Sequence, residues 1–277
     1  MGYHFMFESA LLKLERANKH ILAFSDAYQR FIDGRPVSLR CDGRHQGLSY
    51  FLTLDQSPVD AMIIAGDALH NLRSALDHCV WELWTHDVPP MQRARNWHKG
   101  IKFPTCSSVK IDYDASVRGM ATPRADAIQL LLDLEVYPSG NGAPLLALHN
   151  LDITDKHLIL IPLVTRFQVS GLRVRHINMD GTETTGPLGV RQGEMMLTPD
   201  GETHFGSHFA IGNIGYYSKD PTQPQLEFSD DYSVEFEMLF ADHQPFAGLP
   251  ILPTLSALSN LVCEVIARFQ AVVAARR

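Results

Sequence analysis

Asp67-Ala-Leu-His-Asn-Leu-Arg-Ser-Ala-Leu-Asp-His78 is the stretch on which the reading of the fold turns. It lies inside an apolar-periodic run from Val59 to Trp84. Ser57 suits an N-cap, Pro58 suits the first helical position, and Asp60 places charge where the helix N-terminus favours it. At about 100° per residue, Met62, Ala65, Leu69, Leu72, Leu76, Cys79, Val80 and Leu83 share one core-facing stripe. The other face carries Asp67, His70, Asn71, Ser74, Asp77, His78 and Trp81, with Arg73 at its edge. Arg73 lies three residues after His70 and four before Asp77, which lets the three side chains meet. From Ala61 to Trp81 there is no Lys, Glu or Gln, the residues that fill an ordinary solvated helix face. His, Asn, Asp and Ser at mid-helix form helices less well, so they imply a use: a buried hydrogen-bond network or a polar pocket.

Working outward, residues 5–32 read as a long helix, with apolar residues from Phe7 to Phe31 at steps of three or four. Residues 36–54 read as a β-hairpin turning at Asp42-Gly43. Residues 86–121 read as a long surface loop with a basic patch (Arg93, Arg95, His98, Lys99, Lys102), anchored by Trp97 and Phe103. Such a loop serves as a hydrated connection or holds a nucleic-acid strand. Helices are expected over 123–136 and 144–154. The pattern then turns to β, with strands expected at 157–170, 172–178, 188–197, 205–214 and 231–241. Residues 253–275 form a strong amphipathic helix. The expected class is α+β: a helical bundle of long N-terminal, central and C-terminal helices with an appended antiparallel β-sheet. No linker divides the chain, so 1–277 reads as a single domain, helical over 1–156 and 250–277 and β-rich over 157–245.

A second segment echoes the first. Ala68-Leu-His70-Asn71-Leu72 leads after six residues to His78, and Ala147-Leu-His149-Asn150-Leu151 leads after six to His157. Asp77 and Asp155 stand close before the final histidines. If the two segments pack face to face, Asp67, Ser74, Trp81, His149, Asn150, Asp152, Asp155, Lys156 and His157 line one shared polar site.

The chain of 277 residues is 45% hydrophobic with a net charge of -7, which allows a substantial core and argues against a general nucleic-acid-coating surface. No run of apolar residues approaches the roughly twenty needed to cross a bilayer, and the N-terminus has no secretion-signal pattern. The four cysteines are widely spaced, which reads as reduced thiols in a cytoplasm, with Cys79 and Cys263 as core filler. No Gly-rich phosphate loop, Walker pattern or nucleophile elbow occurs.

Arg73-Ser-Ala-Leu-Asp-His78 has Arg-x4-His spacing and resembles the catalytic motif of the HEPN superfamily of helical bundles. The resemblance implies metal-independent RNA cleavage, or RNA binding, at this helix face. Arg73 would stabilise charge on the phosphate and His78 would act as acid or base, with Asp77, His70 and Asn71 beside them. The chain also resembles uncharacterised bacterial and phage proteins carrying Leu-His-Asn-Leu-Arg…Leu-Asp-His and Asp-Lys-His segments, which implies no activity. Two alternatives stand beside the RNA reading. One is a non-catalytic interaction protein whose His/Asp/Arg cluster is a buried structural network. The other is a metal-binding bundle using His70, Asp77 or His78 with His149, Asp152, Asp155 or His157. No His-x3-His or Glu-x2-His pair occurs at single-turn spacing in these helices, so no metal or cofactor is assigned. The expected partners are RNA and a second copy of the chain, joined through apolar helix surface, and no membrane.

Overall fold

In a computed structural model, the structure describes residues 6–35, 37–43, 48–54, 58–87, 101–120, 125–157, 163–171, 173–177, 182–187, 191–197, 208–214, 226–228, 232–242 and 244–275. Among them are six helices: α1 (Glu8–Asp33), α2 (Val59–Asp87), α3 (Lys110–Arg118), α4 (Ala125–Leu134), α5 (Ala143–His157) and α6 (Ile251–Ala274). The strands are β1 (Val37–Gly43), β2 (Leu48–Leu54), β3 (Leu163–Ser170), β4 (Arg173–Ile177) and β5 (Glu183–Pro187), followed by β6 (Arg191–Leu197), β7 (His208–Ile214), β8 (Leu226–Phe228) and β9 (Ser233–Phe240). The protein is an α+β helical bundle with antiparallel β structure.

The chain forms two compact units. The first comprises Met1–Ala27, Asp60–Ile161 and His243–Arg277; the second comprises Tyr28–Val59 and Pro162–Asp242. The hairpin therefore groups with the later strands, a long-range pairing that local sequence pattern does not reveal.

In the first unit every position of the α2 stripe named from the sequence is buried, from Met62 to Leu83. On α1, Ala10, Leu14, Ala17, Ile21 and Phe24 are buried as the periodicity demands. On α6, Leu255, Leu258, Val262, Val265, Ile266 and Phe269 are buried. Phe7 and Phe269 meet with ring centroids 6.1 Å apart, and Ser259 donates a 2.6 Å hydrogen bond to Asn18, so α6 is tied to the N-terminal segment at two levels. α4 packs against α3 and α6, and α5 against α6. Cys263, expected in the core, is exposed: it sits on the α6 face opposite the stripe. By length and composition α6 is the one described helix apolar enough to cross a membrane, contrary to the expectation that no segment approaches this. Its exposed face nonetheless carries Asn260, Glu264, Arg268 and Gln270, which a hydrocarbon environment would disfavour.

Three expectations need correction here. The segment expected as a loop to residue 121 contains α3. Tyr113 and Val117, four residues apart, bury one side of this short helix, and Lys110–Asp114 braces the other at 2.9 Å. Two inward residues are too few to register as a periodic pattern. The helix expected over 144–154 extends to His157, so the Asp152–Lys156 end is helical and the following strand begins at Leu163 rather than at 157. Strands β5 and β8 were not anticipated, since Glu-Thr-Thr-Gly-Pro and Leu-Glu-Phe are short and carry little alternation. The N-cap expected at Ser57 and the anchor expected at Trp97 lie outside the described residues.

In the second unit the β strands form three three-stranded antiparallel sheets, ordered β1-β2-β7, β6-β3-β9 and β5-β4-β8, in place of a single sheet. The hairpin register runs from Val37↔Leu54 to Gly43↔Leu48, so Asp42 and Gly43, expected at the turn, are paired residues of β1, facing Ser49 and Leu48. The last turns of α1 cover β9: the Tyr28 hydroxyl donates to the Phe236 carbonyl, and Phe31 meets the Phe236 ring edge-on at 6.0 Å.

Candidate functional site

The polar centre lies wholly within the first unit, where α2 meets α5, the 101–105 segment and the start of α1. α2 and α5 do pack through their echoed segments. Two direct bonds join them: His70 Nδ1 to Asp152 Oδ1 at 2.9 Å, and Arg73 Nε to His149 Nδ1 at 3.1 Å.

Arg73 is only 4% exposed. Its Nη2 donates to the Phe103 carbonyl at 3.1 Å, and its Nη1 forms an ion pair with Asp77 at 2.7 Å whose angle falls short of a hydrogen bond. The guanidinium also lies 5.7 Å from the centroid of the Phe103 ring. Asp77 in turn accepts the Phe103 backbone N–H at 2.7 Å. Arg73 and Asp77, one turn apart, thus grip both backbone polar groups of one residue and pin the Phe103-Pro104 segment to α2. An extended segment has no partners of its own for those groups, and burial without partners would be costly.

The guanidinium fixes a tautomer. Arg73 Nε–H can only donate, so His149 Nδ1 accepts and the His149 proton sits on Nε2. Burial, and then the Arg73 charge, hold His149 below the usual imidazole range. At the opposite edge, Asp152 is buried and acceptor-only, so His70 donates from Nδ1. The second Asp152 oxygen takes Lys156 Nζ at 2.7 Å, and His70 Nε2 lies 3.5 Å from Ser74 Oγ. Asp155 presses on α2 at Gly66. A Cβ there would stand 2.3 Å from Asp155 Oδ1, so a larger residue would have to turn this carboxylate aside. Burial, then Asp67 and Asp152, push the Asp155 carboxyl above its ordinary value.

His78 belongs to a different cluster. Its Nδ1 lies 2.9 Å from Ser9 Oγ, and the Ser9 hydroxyl donates to Glu82. Since that hydroxyl proton is used, His78 is the donor to Ser9. Glu82 also accepts the backbone N–H of Phe7, and that of Ser9 at 3.2 Å. It therefore caps the N-terminus of α1 from another helix, where negative charge is favoured. Phe7 takes the left-handed φ of 70°, which the bond to Glu82 and its fully buried ring hold in place. Burial, then Lys13, hold His78 below the usual imidazole range.

The remaining candidates divide as follows. Asn71 turns back on its own helix, donating to the Asp67 carbonyl at 2.8 Å, and Asp67 is exposed. Asn150 is exposed, and Trp81 is 39% exposed on the side of α2 away from the stripe. The His157 side chain lies outside the described residues. Sequence reasoning did not single out Ser9, Glu82 or Gly66. Glu82 alone left a signal, as the first Glu after a long stretch without one. Among the described residues no group of three His, Cys, Asp or Glu side chains is placed to hold a metal ion.

A Ser74–His70–Asp152 order is that of a hydrolase triad, but Ser74 is in mid-helix. Backbone N–H groups there are spent on the i−4 carbonyls, so none is turned toward a developing oxyanion. Comparison with protein-family models, with curated proteins and with solved structures finds no match to this chain.

Proposed function

We propose that the protein is a cytoplasmic binding module whose central Arg/His/Asp cluster is a structural clamp rather than a place of reaction. Arg73 carries this reading. It is 4% exposed, and its fork is spent on His149, Phe103 and Asp77. A guanidinium that stabilises a phosphate in reaction must be able to reach it. His78, the proposed acid or base of the RNA-cleaving reading, is engaged with Ser9 of α1, away from the groups that hold Arg73. The buried Cys79 thiol, pushed up by burial, and the free Cys106 and Cys263 accord with a reducing compartment. The reading carries a homodimeric assembly with it, which light scattering of the purified protein tests.

The deciding experiment incubates single-stranded RNA with wild type, Arg73→Ala and His78→Ala in the presence of chelator, and records urea unfolding of each. The expected result is no cleavage by wild type and early unfolding of Arg73→Ala. Cleavage by wild type that disappears in a stably folded Arg73→Ala protein would instead establish the HEPN-like ribonuclease reading of Arg73 and His78.

A further inference from the structure

We propose that the outer face of α1 and α2 is the contact surface of a two-fold dimer, in which α1 of each copy lies along the exposed strip of α2 of the other. The inference rests on the homodimeric assembly proposed above and names its interface.

The strip follows from how little of α2 reaches solvent. Among its described residues only Asp60, Ile63, Asp67 and Trp81 are exposed, with His70, Ser74 and Asp77 half-buried between them. From Ile63 through Asp67, His70, Ser74 and Asp77 to Trp81 the steps alternate between four and three residues, the spacing along which a second helix packs. Both ends are apolar, Ile63 being 44% and Trp81 39% exposed. They stand about 27 Å apart at the helical rise, and the 26 residues of α1 are long enough to cover that distance. Beside this strip α1 presents a matching one: Leu12, Arg16, Lys19 and Ala23 follow at the same steps, with Leu12 58% exposed. Ser9 bonds to His78, Lys13 stands near it, and His20 stands near Asp67, so the two helices run antiparallel with their levels fixed. The other flank of α1 is tied to α6 through Asn18.

Charge names the occupant. The α1 strip and its edge are basic, with Lys13, Arg16 and Lys19, and the α2 strip is acidic, with Asp60, Asp67 and Asp77. Lys19 is paired with Glu15 and Asp77 with Arg73, but Lys13, Arg16, Asp60 and Asp67 form no ion pair among the described residues. A partner that fits must offer an acidic strip to α1 and a basic strip to α2, side by side and antiparallel. A second copy turned about an axis along the helices does so, because it lays α1 over α2 and α2 over α1 at unchanged levels. Arg16 Nε donates to His20 Nε2 at 3.0 Å, which carries the guanidinium toward the level of Asp67. In the dimer each Arg16 therefore meets Asp67 of the other copy, and Leu12, Ile63 and Trp81 are covered between the helices.

The test is sedimentation velocity of the full-length protein at a concentration where wild type is dimeric. Arg16→Glu opposes two carboxylates at each symmetric contact, and Asp67→Arg opposes two guanidiniums. Each variant alone is expected to be monomeric, with its dissociation constant raised at least about tenfold. An equal mixture of the two is expected to dimerise, because each copy then offers the charge that the other lacks. Leu12→Asp is expected to weaken the dimer likewise, and Ile111→Asp, at a 78% exposed position on α3, to leave it unchanged. All four positions are exposed, so the circular dichroism of each variant is expected to match wild type. Single variants that stay dimeric, or a mixture of folded variants that stays monomeric, overturn the proposal. Monomeric wild type overturns the homodimeric reading with it, whereas dimeric wild type with dimeric variants leaves that reading standing and removes only this interface. A failure of the clamp reading appears elsewhere, as undiminished stability of Arg73→Ala.

Discussion

Removing the Arg73 side chain strands three groups at once: the His149 Nδ1 lone pair, the Phe103 carbonyl and the Asp77 carboxylate. A hydrogen bond from a charged group contributes about 1.5–3 kcal/mol, and breaking a buried ion pair from one side costs about 3–5 kcal/mol. These contributions overlap and are not summed. The Asp77 side chain is 39% exposed, so water can take over part of its solvation, which places the loss at the lower end, ~3 kcal/mol. With a urea slope of about 2 kcal/mol/M, the unfolding midpoint of Arg73→Ala falls by ~1.5 M. Trp84, buried on α2 one helical stretch beyond Arg73, gives a fluorescence signal from the affected unit. Arg73→Lys keeps the charge but not the planar fork, and its midpoint should lie between the two. A shift below ~0.5 M for Arg73→Ala, at this slope, would refute the clamp, since the three stranded groups would then have been satisfied without it.

Three further outcomes follow from the same geometry. His149 and His78 both titrate below the usual imidazole range, so the unfolded chain binds more protons than the folded one as pH falls. The stability they contribute is complete above the unfolded value of about 6.5 and is lost as pH falls through their folded values; thermal melts across that window should show a decline that His149→Gln reduces. Asp155, raised by burial and two neighbouring carboxylates, has the opposite sign, a cost that grows as pH rises through its folded value. Asp155→Asn should therefore raise stability at neutral pH by on the order of 0.5 kcal/mol, the scale of a like-charge pair on a helix, and an equilibrium unfolding curve shows whether it does. Gly66→Ala alone should gain less than the ~1 kcal/mol of helix propensity, because its Cβ must displace the Asp155 carboxylate that stands 2.3 Å away. In an Asp155→Ala background the same change should stabilise by about 1 kcal/mol through helix propensity, and additive effects in this double-mutant cycle would show that the two residues do not touch.

The long helices were legible because each buries one continuous stripe, and the stripe alone defines them. On α2 every position assigned to the core is buried, and the absence of Lys and Glu from the other face marked it as occupied. The echo between the two Ala-Leu-His-Asn-Leu segments led to the packing of α5 on α2. What each polar side chain touches was not legible, because its partner is set by tertiary approach. The Arg73–His78 spacing shows why. Five residues at about 100° each leave the two side chains roughly 140° apart around the helix, so they project to different neighbours, Phe103 with α5 in one case and Ser9 in the other. A motif defined along the chain does not by itself place its members in one pocket. α3 escaped for lack of apolar residues, and β5 and β8 for lack of length.

The carboxylate of Glu82 also bears on the order in which the molecule assembles. α1 takes its cap from a residue 75 positions later than Phe7, so the first turn of α1 cannot be completed by local sequence. A chain emerging from synthesis would hold α1 with a frayed start until α2 is present, because isolated helices are marginal and their ends are the first part to open. The left-handed Phe7 is set at the same moment, since the bond to Glu82 is one of the contacts that hold it. Amide exchange at Phe7 and Ser9 therefore reports α2 docking rather than α1 formation, which makes two N-terminal hydrogens a clock for the joining of the unit.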